Sequence, residues 1–307
     1  MIRKILKWIG IVLGGLVGLL VLTVIVLYIV SVVKWNQAYE NYDVPVETIA
    51  VPTSEEAVAH GEHVATIHAC RVCHGENLGG KVLIDQPALG VVYTPNLTSG
   101  AGGVGATNTD EDWVRAIRHG VGHDRRGLVA MPSRIFYMLG DEDLGALIAY
   151  LKALPPVDNE TPKRQIGPAG RLAVVLNQFP QAHAALIDHD APRPAVPEQG
   201  VTVEYGEYLA LTCTMCHGAS LNGGFIRASD GELLRALNLT PGGELRVWSE
   251  EQFFTTLRTG VTPSGRQLTV NMPWKYIGQM TDDELKAVWL YLQSLPALEQ
   301  GEERTDR

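Results

Sequence analysis

The most apolar stretch of the chain lies near its start, where residues 8–33 contain no charged side chain. At a rise of about 1.5 Å per residue, a helix of this length can cross a bilayer core of about 30 Å. A cleaved secretion signal is the alternative, but such signals have a shorter apolar core that ends at a small-residue cleavage site. The run here ends without an Ala-x-Ala pattern. We therefore predict an uncleaved signal anchor, a transmembrane helix, over 1–34.

The charges on either side of this run predict its orientation. Three basic residues lie within the first seven positions, whereas Lys34 is followed by Glu40 and Asp43. Basic flanks are retained in the cytoplasm. We expect a single-pass protein held by lipid contact in a bacterial cytoplasmic membrane, with a cytoplasmic N-terminus and the remainder on the periplasmic, extracytoplasmic side.

The remainder of the chain is a tandem repeat. When 70–74 and 213–217, both Cys-x-x-Cys-His, are aligned, the residues downstream match in the same order. The matched pairs are Asn96-Leu97-Thr98 with Asn238-Leu239-Thr240, Gly120-Val121 with Gly260-Val261, Met131-Pro132 with Met272-Pro273, and Asp143-Leu144 with Glu284-Leu285. A unit of about 100 residues, large enough for its own core, is therefore used twice.

This repeat divides the chain into six segments. They are the anchor over 1–34, a spacer over 35–52, a first domain over 53–156, a proline-rich linker over 157–197, a second domain over 198–299 and a charged tail over 300–307. The middle of the linker, 171–187, has enough apolar residues to pack against a domain.

Apolar periodicity and helix-start residues predict three helices in each unit. The ranges are 54–69, 110–119 and 141–153 in the first unit and 203–212, 249–259 and 282–294 in the second. Ser54, Asp110 and Ser249 are the expected N-caps. No segment strongly favours a strand. The predicted fold is all-α, with an N-terminal transmembrane helix followed by two tandem domains.

Composition and charge exclude several classes of protein. With 46% hydrophobic and 19% charged residues, the chain is composed like a globular protein. Its net charge of −9 argues against a nucleic-acid partner, because nucleic-acid binding needs a basic surface. Four cysteines are too few for a disulfide scaffold, and all four belong to the two Cys-x-x-Cys-His segments.

The Cys-x-x-Cys-His segments carry the chemistry of the sequence. Cys70 and Cys73 lie three positions apart on a helical turn, so both thiols can add to the vinyl groups on one edge of a haem. His74 then falls beneath the iron as its ligand. The second segment repeats this arrangement with Cys213, Cys216 and His217.

Zinc binding and dithiol redox chemistry use the same cysteine spacing. Zinc motifs commonly place their two cysteine pairs about 15–20 residues apart, whereas Cys70 and Cys213 are much more distant. A redox dithiol is expected within a βαβ pattern, which the sequence lacks. Each motif has its own histidine and no cysteine is left over. The sequence therefore predicts two covalently bound haem c groups.

The second axial ligand distinguishes an electron carrier from a catalyst, because a filled position leaves no site for substrate. Met131 and Met272 occupy matched positions in the repeat, and each is followed by proline. Met138 and Met280 lie nearby, but they are not equivalent positions and are expected to be core residues. Met131 and Met272 are therefore the predicted distal iron ligands.

Histidine is the competing ligand, and the first unit offers His60, His63, His68, His119 and His123. The second unit contains no histidine other than His217, so at least its haem needs another ligand, and Met272 is the best candidate. His183 and His189 of the linker are expected to be surface or packing residues.

Further polar and aromatic residues have two interpretations each. Asn96, Thr98, Asn238 and Thr240 could bind a haem propionate, restrain the methionine side or act as caps. Arg115, Arg118 and Arg258 could pair with propionates or be exposed helix charges. Trp113, Phe136, Phe253 and Trp274 are expected in the haem pocket or core.

The order of these motifs resembles that of class I cytochromes c. More narrowly, it resembles the multihaem cytochrome c subunits of membrane-bound alcohol, aldehyde and sugar-acid dehydrogenases. The resemblance covers roughly 53–299 and implies low-spin haems with His and Met ligands. Those subunits usually carry three haem motifs, whereas this chain has two.

The function expected from these features is electron transfer by a membrane-anchored dihaem cytochrome c. Single electrons would pass between a membrane or periplasmic dehydrogenase, or a quinol-oxidising complex, and a terminal oxidase or soluble carrier. The chain would then be a subunit of a respiratory or dehydrogenase complex, with no catalytic activity of its own. The alternatives are a dihaem peroxidase or thiosulfate-oxidising cytochrome with one catalytic haem, and a docking subunit whose haems are structural.

Overall fold

The structure is a computed structural model that describes residues 2–39, 41–162, 164–176, 182–227 and 233–301. Its first element is helix α1, Ile2–Tyr39, which has 38 residues and a mean hydropathy of 3.0 in its most apolar part. Within the described residues, α1 is the one helix long and apolar enough to cross a membrane. The side chains of its apolar run are mostly exposed, as those of a lipid-facing helix would be.

Both repeated units are built from short helices. In the first unit they are α2 Glu55–Ile67, α3 Cys70–His74, α4 Asp110–His119, α5 Ser133–Phe136 and α6 Asp141–Ala153. Helix α7, Pro168–Val175, belongs to the linker. In the second unit they are α8 Val203–Ala210, α9 Thr214–His217, α10 Glu250–Thr259, α11 Trp274–Ile277 and α12 Asp282–Ser294. The mostly helical fold class is confirmed.

The caps of these helices agree with the sequence at two of three positions. The hydroxyls of Ser54 and Ser249 accept hydrogen bonds from the first turns of α2 and α10, as expected for N-caps. The assignment of Asp110 as the cap of α4 is wrong. Thr109 caps α4, and its hydroxyl and the carboxylate of Asp112 form a reciprocal capping box.

Short strands are the feature that the sequence did not predict. They are β1 Val82–Gln86, β2 Gly90–Tyr93, β3 Gln165–Ile166, β4 Gly224–Arg227 and β5 Leu233–Ala236. β1, β2 and β3 form an antiparallel sheet, and β4 pairs antiparallel with β5. These strands have two to five residues, too few for a period-2 pattern to become visible.

A glycine lies at the helix crossing that forms each unit. A Cβ atom at Gly61 of α2 would lie 1.9 Å from the carbonyl oxygen of Ala146 in α6. The same distance separates a Cβ at Gly206 of α8 from the carbonyl oxygen of Ala287 in α12. The first and last helices of both units therefore approach each other as closely as only glycine allows.

The linker packs against its surroundings, as its apolar middle predicted. Helix α7 lies against α1, and the Lys34 Nζ donates a hydrogen bond of 2.7 Å to the carbonyl oxygen of Val175. Further along, Ala184 is buried in a small cluster with Val44 and Val121. The linker thereby joins α1 to the first unit.

Candidate functional site

Each Cys-x-x-Cys-His segment forms a short helix directly after the first long helix of its unit. In the first unit, Ala69 has a left-handed backbone, with φ of 56°, and separates α2 from α3. In the second unit, a single turn of 3₁₀-helix, Leu211–Cys213, joins α8 to α9. All four cysteines are partly exposed, so a haem edge can reach them.

The histidine of each segment is fixed for metal binding through one ring nitrogen. His74 Nδ1 lies 3.1 Å from the carbonyl oxygen of Pro95, and His217 Nδ1 lies 2.7 Å from that of Leu237. Each carbonyl accepts a hydrogen bond from a protonated Nδ1, which leaves the Nε2 lone pair for an iron. Burial lowers the pKa of both imidazoles, so they are neutral, as a metal ligand must be.

The environment of the cysteines does not suit dithiol or zinc chemistry. Burial raises the pKa of Cys70 and of Cys213 to about 12, and it also raises that of Cys73. A reactive dithiol needs the opposite shift, because the thiolate is the nucleophile. Within the described part of the chain, no group of three His, Cys, Asp or Glu side chains converges as a metal site would. Covalent haem attachment remains the chemistry that these residues fit.

The two predicted methionine ligands lie in matching turns. Pro132 has φ −81° and ψ 49°, and Pro273 has φ −78° and ψ 47°. In each turn the amide two residues after the methionine donates to the methionine carbonyl, at 2.9 Å for Met131 and 2.8 Å for Met272. Both side chains are half-buried against the core of their own unit. Met280, by contrast, is 3% exposed and belongs to the core, as expected.

Four of the five competing histidines of the first unit bind protein groups. The pairs are His60 with Asp143, His63 with Glu284, His68 with Thr212, and His119 with Glu47. His119 also contacts His189 of the linker, at 2.9 Å between the two Nδ1 atoms. These contacts use both ring nitrogens of His119 and one ring nitrogen each of His60, His63 and His68.

The Asn-Leu-Thr segments have a structural role. Asn96 Nδ2 donates a hydrogen bond of 2.7 Å to the carbonyl oxygen of Val157, and Asn238 Nδ2 donates one of 2.7 Å to that of Leu298. Each asparagine also accepts from the threonine two positions later. These side chains connect the end of each unit to its centre. Because they bond to protein groups, the structure gives no support to the interpretation that they bind a haem propionate.

The matched arginines Arg118 and Arg258 are also structural. Arg118 is fully buried, and its Nη2 donates to the carbonyl oxygen of Leu139 at 2.7 Å and to Asp141 at 2.6 Å. Arg258 donates to Asp282, which matches Asp141, and to the carbonyl oxygen of Gly278. The prediction of an exposed helix charge is therefore wrong for Arg118, which is buried and links α4 to the start of α6.

A buried donor in the first unit fits a bound group that carries an acceptor. Trp113 is 2% exposed, and its Nε1 has no hydrogen-bond partner within the described protein. Arg115 Nε, on the same helix, is also buried without a partner among the described residues. Unpaired buried donors are rare, and haem propionates are acceptors that would satisfy them. Phe253 stands at the position of Trp113 in the second unit, so this feature belongs to the first.

The two units meet in an interface with approximate two-fold symmetry. His63 Nε2 of the first unit lies 2.9 Å from both carboxylate oxygens of Glu284 in the second. Tyr208, which matches His63 in the repeat, donates its hydroxyl proton to Asp143, which matches Glu284. Each unit thus uses the same two positions to bind the other, as in a self-complementary dimer.

At the centre of this interface the two attachment segments approach each other. His68 lies two positions before Cys70, and Thr212 lies one position before Cys213. His68 Nδ1 is 2.5 Å from Thr212 Oγ1, and both side chains are buried. The His68 ring also packs edge-on against Phe136, with 5.8 Å between ring centroids. The sequence did not predict this role, because nothing in it distinguishes His68 from the other histidines of the first unit.

Comparisons with known proteins agree with this arrangement. The family described as "Cytochrome C oxidase, cbb3-type, subunit III" matches residues 56–151, and the family "Cytochrome c" matches residues 203–296. The chain therefore contains two cytochrome c domains, which hold two covalently bound haem c groups.

Similar proteins include the cytochrome subunits of several dehydrogenases. The fructose dehydrogenase cytochrome subunit of Gluconobacter japonicus is 28% identical over 82% of this chain and 55% of its own length. The alcohol dehydrogenase (quinone) cytochrome c subunit of Gluconacetobacter polyoxogenes is 28% identical over 80% of this chain and 57% of its own length. The gluconate 2-dehydrogenase cytochrome c subunit of Pantoea cypripedii is 28% identical over 80% of this chain and 60% of its own length. The chain thus spans little more than half of the length of these relatives.

Proposed function

We propose that this cytochrome c is a membrane-anchored protein in which single electrons pass between the two haem groups. The hydrogen bond between His68 and Thr212 carries the proposal. It connects the backbones next to Cys70 and Cys213 through one buried contact between two side chains, which holds the two attachment segments close together. Such a short connection suits electron transfer within the chain.

In each domain, the cysteines of the segment form thioether bonds and the histidine is the proximal ligand. Cys70, Cys73 and His74 serve the first haem, and Cys213, Cys216 and His217 serve the second. Met131 and Met272 are the proposed distal ligands, supported by their matching turns and by the bonding of both ring nitrogens of His119 to protein groups. Methionine ligation favours ferrous iron and raises the reduction potential, which suits a carrier that accepts electrons.

The enzyme alternative, a dihaem peroxidase or thiosulfate-oxidising cytochrome, requires one haem with an open or unusual distal position. The distal turns at Pro132 and Pro273 have the same backbone geometry, and each follows a methionine. This similarity favours two haems of one kind, and hence electron transfer.

We propose that α1 spans a bacterial cytoplasmic membrane with its N-terminus in the cytoplasm. The uncharged run over 8–33 and the basic residues before it support this orientation. The two haem domains, over 53–156 and 198–299, then lie on the periplasmic side. Lipid contact along α1 would be the means of attachment.

The proposed redox partners follow from the relatives, which are cytochrome subunits of fructose, alcohol and gluconate dehydrogenases. We propose that this chain accepts electrons from a dehydrogenase or quinol-oxidising complex and passes them to a terminal oxidase or a soluble carrier. Both domains would take part, because the haem-attachment segments face each other.

Affinity purification from native membranes, with identification of co-purifying proteins, tests this function. We expect a dehydrogenase or quinol-oxidising complex that reduces both haems faster than the complex turns over. Reduction slower than turnover would contradict electron transfer and favour structural haems. A high-spin haem signal together with peroxide turnover would contradict it in favour of the enzyme alternative.

A further inference from the structure

The linker helix α7 presents an apolar face that the rest of the described protein does not cover. Its exposed residues lie at spacings that place them on one side of a helix. They are Pro168, Ala169, Leu172 and Leu176, of which Leu176 ends the helix. Leu172 is 47% exposed and Leu176 is 55% exposed. These four side chains are all apolar.

The other sides of α7 are held by two different neighbours. Gly170 and Val174 are buried, and a Cβ atom at Gly170 would lie 2.1 Å from the carbonyl oxygen of Leu89 in the first domain. Arg171 faces α1, with its guanidinium 4.5 Å from the centre of the Tyr28 ring and its Nη1 3.4 Å from Ser31 Oγ. Helix α7 is therefore fixed between the first domain and α1.

The position of α7 along α1 is the decisive observation. Its contacts fall between Tyr28 and Lys34, which are the last two turns of the uncharged run and the first charge after it. If α1 crosses the membrane, this is the level of the membrane–water interface. The exposed cation Arg164 lies beside Trp35, 5.0 Å from its ring, at the height where lipid phosphates would lie.

We propose that α7 is an interfacial helix whose exposed apolar face is inserted among the lipids of the outer leaflet. This inference rests on the proposed membrane anchoring of α1. The lipid occupant follows from continuity, because the exposed side chains of α7 extend the lipid-facing surface of α1 at the same level. The first haem domain is then held against the membrane by two elements and does not swing on the spacer after α1.

Site-directed spin labelling of the full-length, haem-loaded protein in nanodiscs tests this proposal. The four native cysteines are used as thioethers, so Leu172→Cys provides the single reactive thiol. Val21→Cys, in the middle of α1, is the reference for lipid, and Val270→Cys, which is 89% exposed in the second domain, is the reference for water. Collision with oxygen, which concentrates in lipid, is compared with collision with a water-soluble nickel chelate on the reduced protein.

We expect the oxygen-to-nickel accessibility ratio at position 172 to be several-fold higher than at position 270 and to approach that at position 21. A ratio at position 172 equal to that at position 270, while position 21 reports lipid, would overturn the proposal and leave the anchor intact. If position 21 also reports water, the anchor itself is wrong. A label at position 172 that is exposed to water in nanodiscs but shielded from both reagents in native membranes would identify a protein partner, and this also overturns the proposal.

Discussion

His68 of the first domain and Thr212 of the second form a buried hydrogen bond, with 2.5 Å between Nδ1 and Oγ1, beside the haem-attachment cysteines of both domains. Burial lowers the pKa of His68 to about 4, so the imidazole is neutral at physiological pH and bonds as a neutral partner. This contact joins the two haem-binding segments at residues that lie one or two positions before Cys213 and Cys70, respectively.

Replacement of Thr212 by valine removes the hydroxyl and keeps the side-chain shape. We expect the free energy of unfolding to fall by about 1–3 kcal/mol, because His68 loses its buried partner. Electron equilibration between the haems should slow several-fold, which flash photoreduction of the holoprotein can measure. His123→Ala, at an exposed turn, is the control and should change neither quantity. Unchanged equilibration in a folded Thr212→Val protein would contradict a role of this contact in electron transfer.

The ion pair between His63 and Glu284 makes the domain interface sensitive to pH. The hydrogen bond between His63 and Glu284 raises the pKa of His63 above 6.5. Burial of the Glu284 carboxyl opposes ionisation, but the bonds from His63 and Thr281 outweigh it and lower its pKa below 4.5. The contribution of His63 to the free energy of unfolding is complete below pH 6.5. It is lost as pH rises through the pKa that His63 has in the folded protein. The contribution of Glu284 to the free energy of unfolding is complete above pH 4.5. It is lost as pH falls through the pKa that Glu284 has in the folded protein.

We therefore expect the pair to stabilise the protein most between about pH 4.5 and 6.5, by up to about 1 kcal/mol. Denaturant unfolding of the holoprotein at pH 5.5 and pH 8 measures this difference. In His63→Gln the corresponding loss of stability between the two pH values should disappear, and Glu284→Gln should behave in the same way. An identical pH dependence in the parent protein and both variants would rule out the pair as its source.

Glycine at the helix crossings is required for packing. A Cβ atom at Gly61 or Gly206 would lie 1.9 Å from a backbone carbonyl oxygen, which no side-chain rearrangement can relieve. We expect Gly61→Ala and Gly206→Ala each to cost about 3 kcal/mol or more, with reduced haem incorporation in the affected domain. Gly200→Ala is the matched control, since no atom lies within 4 Å of the added Cβ. Parent-like stability in both crossing variants would show that the helices are not packed this closely.

The sequence predicted what is determined locally. Ser249 begins α10 and the apolar residues repeat with helical period, so the element could be placed within one residue of its observed start. Strand β3, in contrast, has two residues and pairs with β2, more than 70 positions earlier. A strand whose partner is so distant has no signal within its own sequence.

For the candidate site, the sequence indicates the expected ligands but not the contacts that support them. The two Cys-x-x-Cys-His segments and the matched Met131 and Met272 are evident from spacing alone. The burial of Arg118 and the pairing of His63 with Glu284 depend on how helices and domains pack, which one sequence does not reveal. The two-fold relation of His63 and Tyr208 was present in the aligned repeat, but only the structure places their carboxylate partners in the opposite domain.

The measurement that tests the central claim most directly is the weak sulfur-to-iron charge-transfer band of the oxidised holoprotein, compared among the parent, Met131→Ala and Met272→Ala. Two methionine-ligated haems predict that each variant loses about half of the band and that the double variant loses all of it. Pyridine haemochrome absorbance, which counts the haems, should stay the same in every variant. If the full band persists in the double variant at unchanged haem content, the proposed ligation of both irons, and with it the account of two equivalent electron-carrying haems, is wrong.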